Sequence, residues 1–545
     1  MLELPHRYRA AMSRPRRTAM TRICWYAGAL LLMAGCASLP RGSAGNRHPS
    51  TAMVQHDGKL QRAFTTPRHA HADESGFKML AAGVDGLTTR LEVIDSAEHS
   101  LDLQYYIFRA DVSGTLVAQA LLRAADRGVR VRLLIDDGDT VKGDEKIFAL
   151  AAHSSIEVRV FNPFDYRGHD TLRRGLDFLL HKSRLDYRMH NKLLIADNAV
   201  AMVGGRNIGD QYFQINPDSQ FGDTDVVAAG SIIQHLSNVF DQFWNDEQSV
   251  PVRDVDGKRV TAAALDEFRR STDVPAPLGQ FHTDLLRRLA TGEPFAGILA
   301  GRTPLSWAPA QVIYDSPDKY LVANGEQPGK LIYQPMQEQI DAVRKELLMV
   351  TPYFVPSAEE LGLLTGLKEK HARVSILTNS LEAAPNITAH AGYTHFRRTL
   401  LQDGVELHEI KAMPGNSRGS GESKSLLKYG NYALHAKLYV FDRKSLFVGS
   451  MNFDRRSRHL NTEIGLMIHS GELATQAAAR FESLIQPSNA YELQLRDSGA
   501  GKSDRLTWHT EEAGVPKVYT TEPARNAWQR LKMQTLALLP IDDEL

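Results

Sequence analysis

A histidine followed two residues later by a lysine occurs twice in this chain of 545 residues, and both occurrences continue with the same residue types. Aspartate follows each histidine by seven residues, glycine by fourteen and asparagine by seventeen. The first set is His190, Lys192, Asp197, Gly204 and Asn207, and the second is His435, Lys437, Asp442, Gly449 and Asn452. Four matched offsets in two distant places indicate a duplicated unit rather than chance.

A β-strand is the simplest structure that would position these residues, because side chains at i and i+2 point to the same face of a sheet. His190 and Lys192 would then share a face, while Asp197, seven steps away, would lie roughly 23 Å along an extended strand. We therefore interpret Asp197 and Asp442 as structural members of the motif, with Asp197 opening a tight turn. The next strand would bring the glycine and asparagine back level with the histidine.

Two such units facing each other would surround one point with two imidazoles, two ammonium groups and two amides, a set that suits a phosphodiester. Lys192 and Lys437 would hold the anion and stabilise charge that develops on its oxygens. One neutral imidazole would attack phosphorus, and the other, protonated, would supply the leaving alcohol with a proton. The spacing alone leaves open which histidine is the nucleophile. The residues predicted to bind phosphate are Asn207, Asn452, Gly205 and Ser450.

An acid downstream of each histidine should bond one ring nitrogen, fix the tautomer and stabilise the imidazolium. The candidates are Asp225, in Asp-Thr-Asp-Val, and Glu463, in Asn-Thr-Glu-Ile. Asp225 comes 35 residues after His190 and Glu463 comes 28 residues after His435, so the two copies differ here.

These residues resemble the motif of the phospholipase D superfamily, His-x-Lys-x4-Asp followed by Gly-(Gly/Ser)-x-Asn. The resemblance implies a two-step transfer through phosphohistidine without a metal or other cofactor, with the nucleophile usually in the first copy. Within the superfamily the chain is similar to bacterial cardiolipin synthases of the C type. The segments that carry this similarity are Ser100–Ile107, Ala125–Arg132, Arg188–Lys192, Gly204–Ile208 and Asn452–Ser457.

Composition excludes several other classes of site. Lys plus Arg and Asp plus Glu both number 64, so the net charge is zero, which argues against a general nucleic-acid binder. The chain has two cysteines, both within the first 36 residues, so the rest of the chain can form neither an internal disulfide nor a cysteine-based zinc site.

The N-terminus predicts attachment to the cell envelope. Arginines precede an apolar run, Ile23–Ala34, which is too short to span a bilayer and suits the core of a signal peptide. It ends at Leu-Met-Ala-Gly-Cys36, which resembles a bacterial lipobox, so Cys36 is predicted to be lipidated and to hold the protein on a membrane facing the periplasm. An uncleaved signal anchor is the alternative, and the choice between inner and outer membrane is open.

The order of strands and helices predicts an α/β fold with two similar α/β/α sandwich lobes related by pseudo-two-fold symmetry. Tyr106 precedes His190 by 84 residues and Tyr353 precedes His435 by 82, so the duplication covers whole lobes. Both histidines would then meet at the interface, and a monomer would suffice. The predicted segments are a signal peptide (1–36), a flexible tether (37–73), the first lobe (74–250), a connecting segment (251–310), the second lobe (311–490) and a C-terminal segment (491–545).

We therefore expect a cardiolipin synthase-like phosphatidyltransferase that works at a membrane surface. It would move a phosphatidyl group, through His190, to the hydroxyl of a second phospholipid. The resemblance suggests phosphatidylglycerol as substrate, with phosphatidylethanolamine as a further donor. The alternatives are a hydrolase that releases phosphatidic acid, a metal-independent nuclease, and a lipid-binding protein with an inert site.

Overall fold

The structure is a computed structural model that describes residues 48–53, 57–71, 73–140, 143–166, 168, 170–216, 219–271, 287, 294–414, 431–496 and 504–539. The sequence also predicts a helix at 283–290, which apart from residue 287 lies outside these residues, as do Cys36, the signal peptide and the Gly/Ser-rich stretch at 415–430. Within the described part of the chain, no helix combines the length and apolarity needed to cross a bilayer.

The first half of the chain forms a nine-stranded sheet in the order β10-β1-β8-β6-β5-β2-β3-β4-β9. Its strands are β1 (Ser75–Leu80), β2 (Ser100–Tyr105), β3 (Arg130–Asp136), β4 (Ile156–Phe161), β5 (Lys192–Ala196), β6 (Val200–Gly204), β8 (Asp225–Gly230), β9 (Ser249–Pro251) and β10 (Ser306–Ala308), and a separate strand is β7 (Ser219–Gly222).

The helices of this half are α1 (Lys59–Ala70), α2 (Gly83–Ser96), α3 (Val112–Asp126), α4 (Thr171–Leu180), α5 (Lys182–Leu185), α6 (Ile232–Asn245), α7 (Val252–Asp256), α8 (Ala262–Arg270) and α9 (Pro294–Leu299). Three short 3-10 helices occupy Asp144–Ala152, Asp210–Phe213 and Gly257–Arg259.

The second half repeats the arrangement in a ten-stranded sheet, β11-β20-β18-β17-β12-β14-β15-β21-β22-β23. Its strands are β11 (Ala310–Tyr314), β12 (Glu346–Val350), β14 (Arg373–Asn379), β15 (Glu406–Ile410), β17 (Leu438–Phe441), β18 (Ser445–Gly449), β20 (Ile464–Ile468), β21 (Ala490–Arg496), β22 (Arg505–Glu512) and β23 (Val515–Tyr519), and three separate strands are β13 (Phe354–Val355), β16 (Asn431–Leu434) and β19 (Phe453–Asp454).

The helices of the second half are α10 (Lys319–Ala323), α11 (Tyr333–Asp341), α12 (Ala358–Glu369), α13 (Ile387–Thr394), α14 (Arg397–Gln402), α15 (Arg455–His459), α16 (Gly471–Leu484) and α17 (Ala527–Leu536). In both sheets the strand next to the motif strand runs antiparallel to it and parallel to its other neighbour: β2 lies between β5 and β3, and β12 lies between β17 and β14. This match confirms the predicted pair of related α/β/α lobes.

The two lobes share one apolar core. Helices α6 and α16 pack between the sheets, where Trp244 and Phe481 lie buried with inward residues of both lobes. Each sheet covers its outer face with its own helices, around Leu121 in the first lobe and Leu364 in the second. Strands β7 and β16 pair in parallel across the interface, so backbone hydrogen bonds also join the lobes.

Several predicted boundaries differ from the structure. The described residues of the predicted tether pack on the first lobe. Helix α1 buries Leu60 and Phe64, because it covers an apolar surface of that lobe. The carbonyl of Ser50 accepts a hydrogen bond from Arg132. Strand β10 and helices α8 and α9, predicted as connector, complete the first lobe. Strands β21 to β23 extend the second sheet beyond residue 490, since β15 would otherwise be an open edge.

Candidate active site

The two motif histidines lie just before strands β5 and β17, and each is held by the backbone of the opposite lobe. The N–H of His190 donates to the carbonyl of Thr462 at 2.9 Å, and the N–H of His435 donates to the carbonyl of Gly222 at 2.8 Å. Both imidazoles are buried, with 7% and 6% of their residue surface exposed. The lobe interface therefore positions each histidine, as the duplicated motif predicted.

The acids that orient the histidines are exchanged between the lobes. Nδ1 of His190 lies 2.8 Å from Oε2 of Glu463, and Nδ1 of His435 lies 2.7 Å from Oδ2 of Asp223. When Nδ1–H donates to the carboxylate, Nε2 keeps its lone pair, which is the tautomer that a nucleophile or base requires. Each imidazole depends on a carboxylate from the other half of the chain.

The prediction that Asp225 orients a histidine was wrong, and Asp223, two residues earlier, takes that role. Asp225 is fully buried between two arginines, 2.9 Å from Arg90 and 3.0 Å from Arg206. Asp225 belongs to strand β8, whereas Asp223 lies in the loop before it, where its carboxylate can reach the interface. Glu463 orients a histidine as predicted, but that histidine is His190.

Gly205 and Ser450 occupy the same position in the two copies of the motif, and each lies against one of these carboxylates. A Cβ on Gly205 would lie 2.2 Å from Oδ1 of Asp223, so only glycine leaves room for the carboxylate. The hydroxyl of Ser450 donates to Glu463, and Ser457 donates to the same carboxylate at 2.8 Å. The structure therefore assigns both positions to the acid pockets, while the sequence predicted phosphate contacts.

Lys192 and Lys437 are almost fully buried beside the histidines. The Nζ of Lys437 donates to the carbonyl of His435 at 2.6 Å and lies 3.2 Å from its Nδ1, and Lys192 makes the matching bond to the carbonyl of His190. Burial lowers the pKa of Lys437 to about 8 and that of Lys192 well below its ordinary value. A bound anion would oppose this effect and favour the protonated form of both lysines, so the pair favours an anionic ligand.

The electrostatic couplings join both histidines into one site. Burial and then the charges of Lys192 and Lys437 depress the pKa of His190 well below its ordinary value. Burial and the charges of Lys437 and Lys192 also lower the pKa of His435, to about 3, against the opposing effect of Asp223. Because each lysine acts on both imidazoles, the four side chains lie close to one another, and burial and the lysine charges favour the neutral form of both histidines.

The two carboxylates differ in their ionisation. Burial raises the pKa of Glu463 to about 7, and the nearby charge of Lys192 only partly opposes that rise. Burial also acts on Asp223, but its hydrogen bond with His435 and the positive charges of the site outweigh it and lower the pKa to about 2. Asp223 is therefore ionised throughout the physiological range, whereas Glu463 changes charge within it.

Aromatic rings that the motif analysis missed enclose the imidazoles. Tyr106 meets His190 edge to face at 5.1 Å between ring centroids. Phe221 stacks on His435 at 5.2 Å, and Tyr212 meets the same imidazole edge to face at 5.1 Å. Tyr106 and Tyr353 sit at matched offsets before the two histidines, and this spacing was the available signal for Tyr106. Nothing in the spacing distinguished Phe221 or Tyr212.

The two motif asparagines differ in their bonding. Asn207 is used within the fold: Oδ1 accepts from the N–H of Ile107 at 3.1 Å and Nδ2 donates to the hydroxyl of Tyr212 at 3.0 Å. Oδ1 of Asn452 is buried and has no hydrogen-bond partner among the described residues. Asn452 is thus the asparagine with bonding capacity left for a ligand.

Asp197 and Asp442 lie at the far end of the motif strands, as predicted. The carboxylate of Asp197 accepts three backbone N–H groups, from Glu98, His99 and Ser100, at 2.8 to 2.9 Å. The carboxylate of Asp442 accepts the equivalent backbone N–H groups of residues 344–346, where strand β12 begins. Both begin tight turns with two consecutive residues at positive φ, 51° and 50° at Asp197 and Asn198. These aspartates fix the motif strands and do not touch the site.

Comparisons with known proteins agree with this geometry. A family model described as "Cardiolipin synthase, PLD-like domain" matches residues 91–244 and 336–485. The chain is 35% identical to cardiolipin synthase C of Escherichia coli K12 over 87% of this chain and 96% of the relative. It is 24% identical to a cardiolipin synthase of Alkalihalophilus pseudofirmus over 77% of this chain and 67% of the relative.

A solved structure with the same fold is the phosphatidylserine synthase of Haemophilus influenzae, with a TM-score of 0.51 and 14% identity over 79% of this chain and 91% of that one. At this identity the likeness concerns the fold alone.

Proposed function

This chain belongs to the cardiolipin synthase family of phospholipase D-like proteins, and we propose from that premise that it is a phosphatidyltransferase that makes cardiolipin. The observation that supports this most directly is the pair of His–carboxylate units exchanged across one interface, with two buried lysines between them. Such a site has two separate proton-transfer groups and two cations for one phosphodiester. A two-step transfer at phosphorus uses such groups to move protons and to stabilise charge on the phosphoryl oxygens.

We assign the nucleophile to His190 and the general acid to His435. His190 is buried in the field of Lys192 and Lys437, and burial and these charges hold its pKa well below the ordinary value, which favours an unprotonated Nε2. His435 bonds the carboxylate that stays ionised, Asp223, and this charge stabilises an imidazolium. An anionic phosphodiester in the site would raise the pKa of His435 from about 3 and allow it to hold a proton.

The first step forms a bond between Nε2 of His190 and phosphorus and breaks the bond to the leaving alcohol, which takes a proton from Nε2 of His435. The second step reverses these roles. Neutral His435 removes the proton from the hydroxyl of the acceptor lipid, whose oxygen attacks phosphorus as the P–N bond breaks. Lys192 and Lys437 offset the charge on the phosphoryl oxygens in both transition states.

We assign the lipids by chemistry and by analogy with the relatives. Phosphatidylglycerol would serve as acceptor and donor, releasing glycerol, and phosphatidylethanolamine would be an alternative donor, releasing ethanolamine. One chain supplies the whole site, so a monomer suffices. We further propose lipidation at Cys36 and a periplasm-facing membrane location, and mass spectrometry of the mature N-terminus, compared with Cys36→Ser, tests both the cleavage and the lipid.

Incubation with labelled phosphatidylglycerol and separation of the products by thin-layer chromatography tests the activity. Cardiolipin with an equal amount of glycerol is the expected result, and phosphatidic acid as the sole lipid product would assign the site to hydrolysis. Mass spectrometry of peptides that carry an acid-labile phosphatidyl group should locate the intermediate on His190 in the His435→Ala protein. A phosphatidyl peptide containing residue 435 in the His190→Ala protein would reverse the assignment.

A further inference from the structure

Helix α4 carries its apolar face outward, the reverse of a helix that serves a protein core. Four leucines at i, i+4, i+7 and i+8 form that face: Leu172, Leu176, Leu179 and Leu180 are 82%, 55%, 70% and 64% exposed. Helix residues at this spacing share one side. Large apolar side chains of a soluble surface are usually scattered singly, so a continuous stripe of four marks an interaction surface.

Polar contacts, not the leucines, attach α4 to the protein. Asp177, on the inward side, is 7% exposed and accepts hydrogen bonds from the N–H of Tyr166 and from Nδ1 of His181, both at 2.8 Å. Arg174 donates to the carbonyl of Asp137 and stacks over Phe164 at 4.1 Å. Asp170 caps the first turn. The leucines are all more than half exposed and take no part in these polar contacts, so replacing them should leave the fold intact.

The helix stands at the catalytic edge of the first sheet. Lys192, Tyr105 and Ile135 lie side by side in the register of β5, β2 and β3, with Val160 of β4 next in the row. Helix α4 lies in the chain between the end of β4 and His190, so the chain leaves this edge and returns to it. Hydrogen bonds also connect α4 with the segment that carries His190. Helix α4 bonds Asp137, and the neighbouring Asp136 accepts a hydrogen bond from the N–H of Met189.

We propose that the outward face of α4 inserts its leucines into the surface of an anionic bilayer and so holds the active site over its lipid substrates. This inference rests on the proposed function, since a phospholipid substrate places a bilayer in front of the catalytic edge. The exposed cations Arg173 and Lys182 lie next to the leucine stripe, where they would meet lipid phosphates. Interfacial helices combine the same features, an apolar face and basic residues beside it.

A polarity-sensitive dye on α4 tests the insertion directly and independently of any lipid anchor. The dye is attached to Leu176→Cys in the full chain with Cys24→Ser and Cys36→Ser, and the matched control carries it on Val518→Cys, which is 51% exposed on a remote hairpin. We expect a blue-shifted, stronger emission from position 176 with vesicles of phosphatidylglycerol and phosphatidylcholine, and no change at position 518. An unchanged signal at position 176, or a change that follows protein concentration without lipid, overturns the proposal, the latter in favour of a second copy of the chain.

A kinetic experiment separates this inference from the proposed function. Leu172→Ser/Leu176→Ser/Leu179→Ser is compared with Val515→Ser/Val518→Ser on vesicles and on monomeric short-chain phosphatidylglycerol, with head-group glycerol as the readout. We expect the triple variant to lose about tenfold or more on vesicles and to match wild type on the monomeric lipid. Equal loss on both substrates, or no loss on vesicles, refutes the role of α4. Failure of wild type on both substrates refutes the proposed function instead, and the dye measurement still tests the insertion.

Discussion

Asp223→Asn is the substitution that tests the exchanged acids most sharply. The asparagine oxygen can keep the hydrogen bond that Oδ1 accepts from the N–H of Thr224, at 2.7 Å. Its NH₂ group then lies where Oδ2 was, 2.7 Å from Nδ1 of His435, and donates to that nitrogen. The variant therefore removes a negative charge and also fixes the imidazole in the opposite tautomer, while the shape of the site stays the same.

The expected loss combines these two effects. The pKa of Asp223 falls from 3.8 to about 2 on folding, despite burial, because of His435 and the neighbouring positive charges. At 1.36 kcal/mol per unit this corresponds to roughly 2.4 kcal/mol of stabilisation of the charged carboxylate, or about 60-fold in its ionisation equilibrium, shared between His435 and the other positive charges. The wrong tautomer adds to this loss, as in other carboxylate–histidine pairs where an amide lowers kcat by about 10⁴. We expect kcat to fall by about 10³ to 10⁴ with a small change in KM.

Steady-state turnover of labelled phosphatidylglycerol, with thermal unfolding as the stability control, measures the effect. Asp225→Asn is the matched control, since it leaves Arg90 and Arg206 buried without their charge partner and should cost about 3–5 kcal/mol of stability. In a His435→Ala background, Asp223→Asn should cause no further loss, because the two residues act as a unit. Activity of Asp223→Asn within about tenfold of wild type, or additive losses in the double variant, would refute the exchanged pair.

Three further expectations follow from the geometry. The pKa of Glu463 is raised to about 7, so its carboxylate is ionised above that pH and protonated below it, where its O–H would donate to Nδ1 of His190. We therefore expect kcat/KM to fall as the pH decreases below about 7. Glu463→Gln should abolish this limb of the pH profile together with most of the activity. Asp197→Ala leaves three backbone N–H groups without their acceptor and should lower the stability by about 3 kcal/mol in chemical denaturation, with kcat of the folded enzyme nearly unchanged. Gly205→Ala places a Cβ 2.2 Å from Oδ1 of Asp223 and should reduce kcat at least tenfold, whereas Gly175→Ala, which meets no atom within 4 Å, should not.

The periodic parts of the fold were predictable because local patterns dominate there. Strand β4 forms from the apolar alternation of residues 156–161, and α3 forms from a stretch of helical periodicity that stops before Gly128, which has a φ of 92°. The alternation of strands and helices, repeated at nearly equal intervals, was enough to predict two related lobes. Segments without a strong period were harder: α1 and β10 are short, and only the finished lobe shows the surface that they cover.

The candidate site was predictable in its histidines and lysines because the motif repeats at fixed spacing. The acids could not be assigned from sequence in the same way. Asp223 and Asp225 stand two residues apart, and the strand that begins at Asp225 decides which carboxylate points into the interface and which pairs with buried arginines. Their true partners are also remote, with 212 residues between Asp223 and His435 and 273 between His190 and Glu463.

This exchange explains why the duplication is retained as one chain with a shared core. A lobe alone would hold a histidine without its acid and an acid without its histidine, so its imidazole would lack a defined tautomer. The main chain shows the same dependence, because the N–H groups of His190 and His435 donate to the carbonyls of Thr462 and Gly222 in the opposite lobe. The two halves are similar but not identical, since Glu463 pairs with His190 and the shorter Asp223 pairs with His435. Burial leaves Glu463 poised near pH 7, whereas Asp223 is fully ionised. In the proposed mechanism the permanent charge of Asp223 favours an imidazolium at His435, the proposed general acid, more strongly than Glu463 does at His190, the proposed nucleophile.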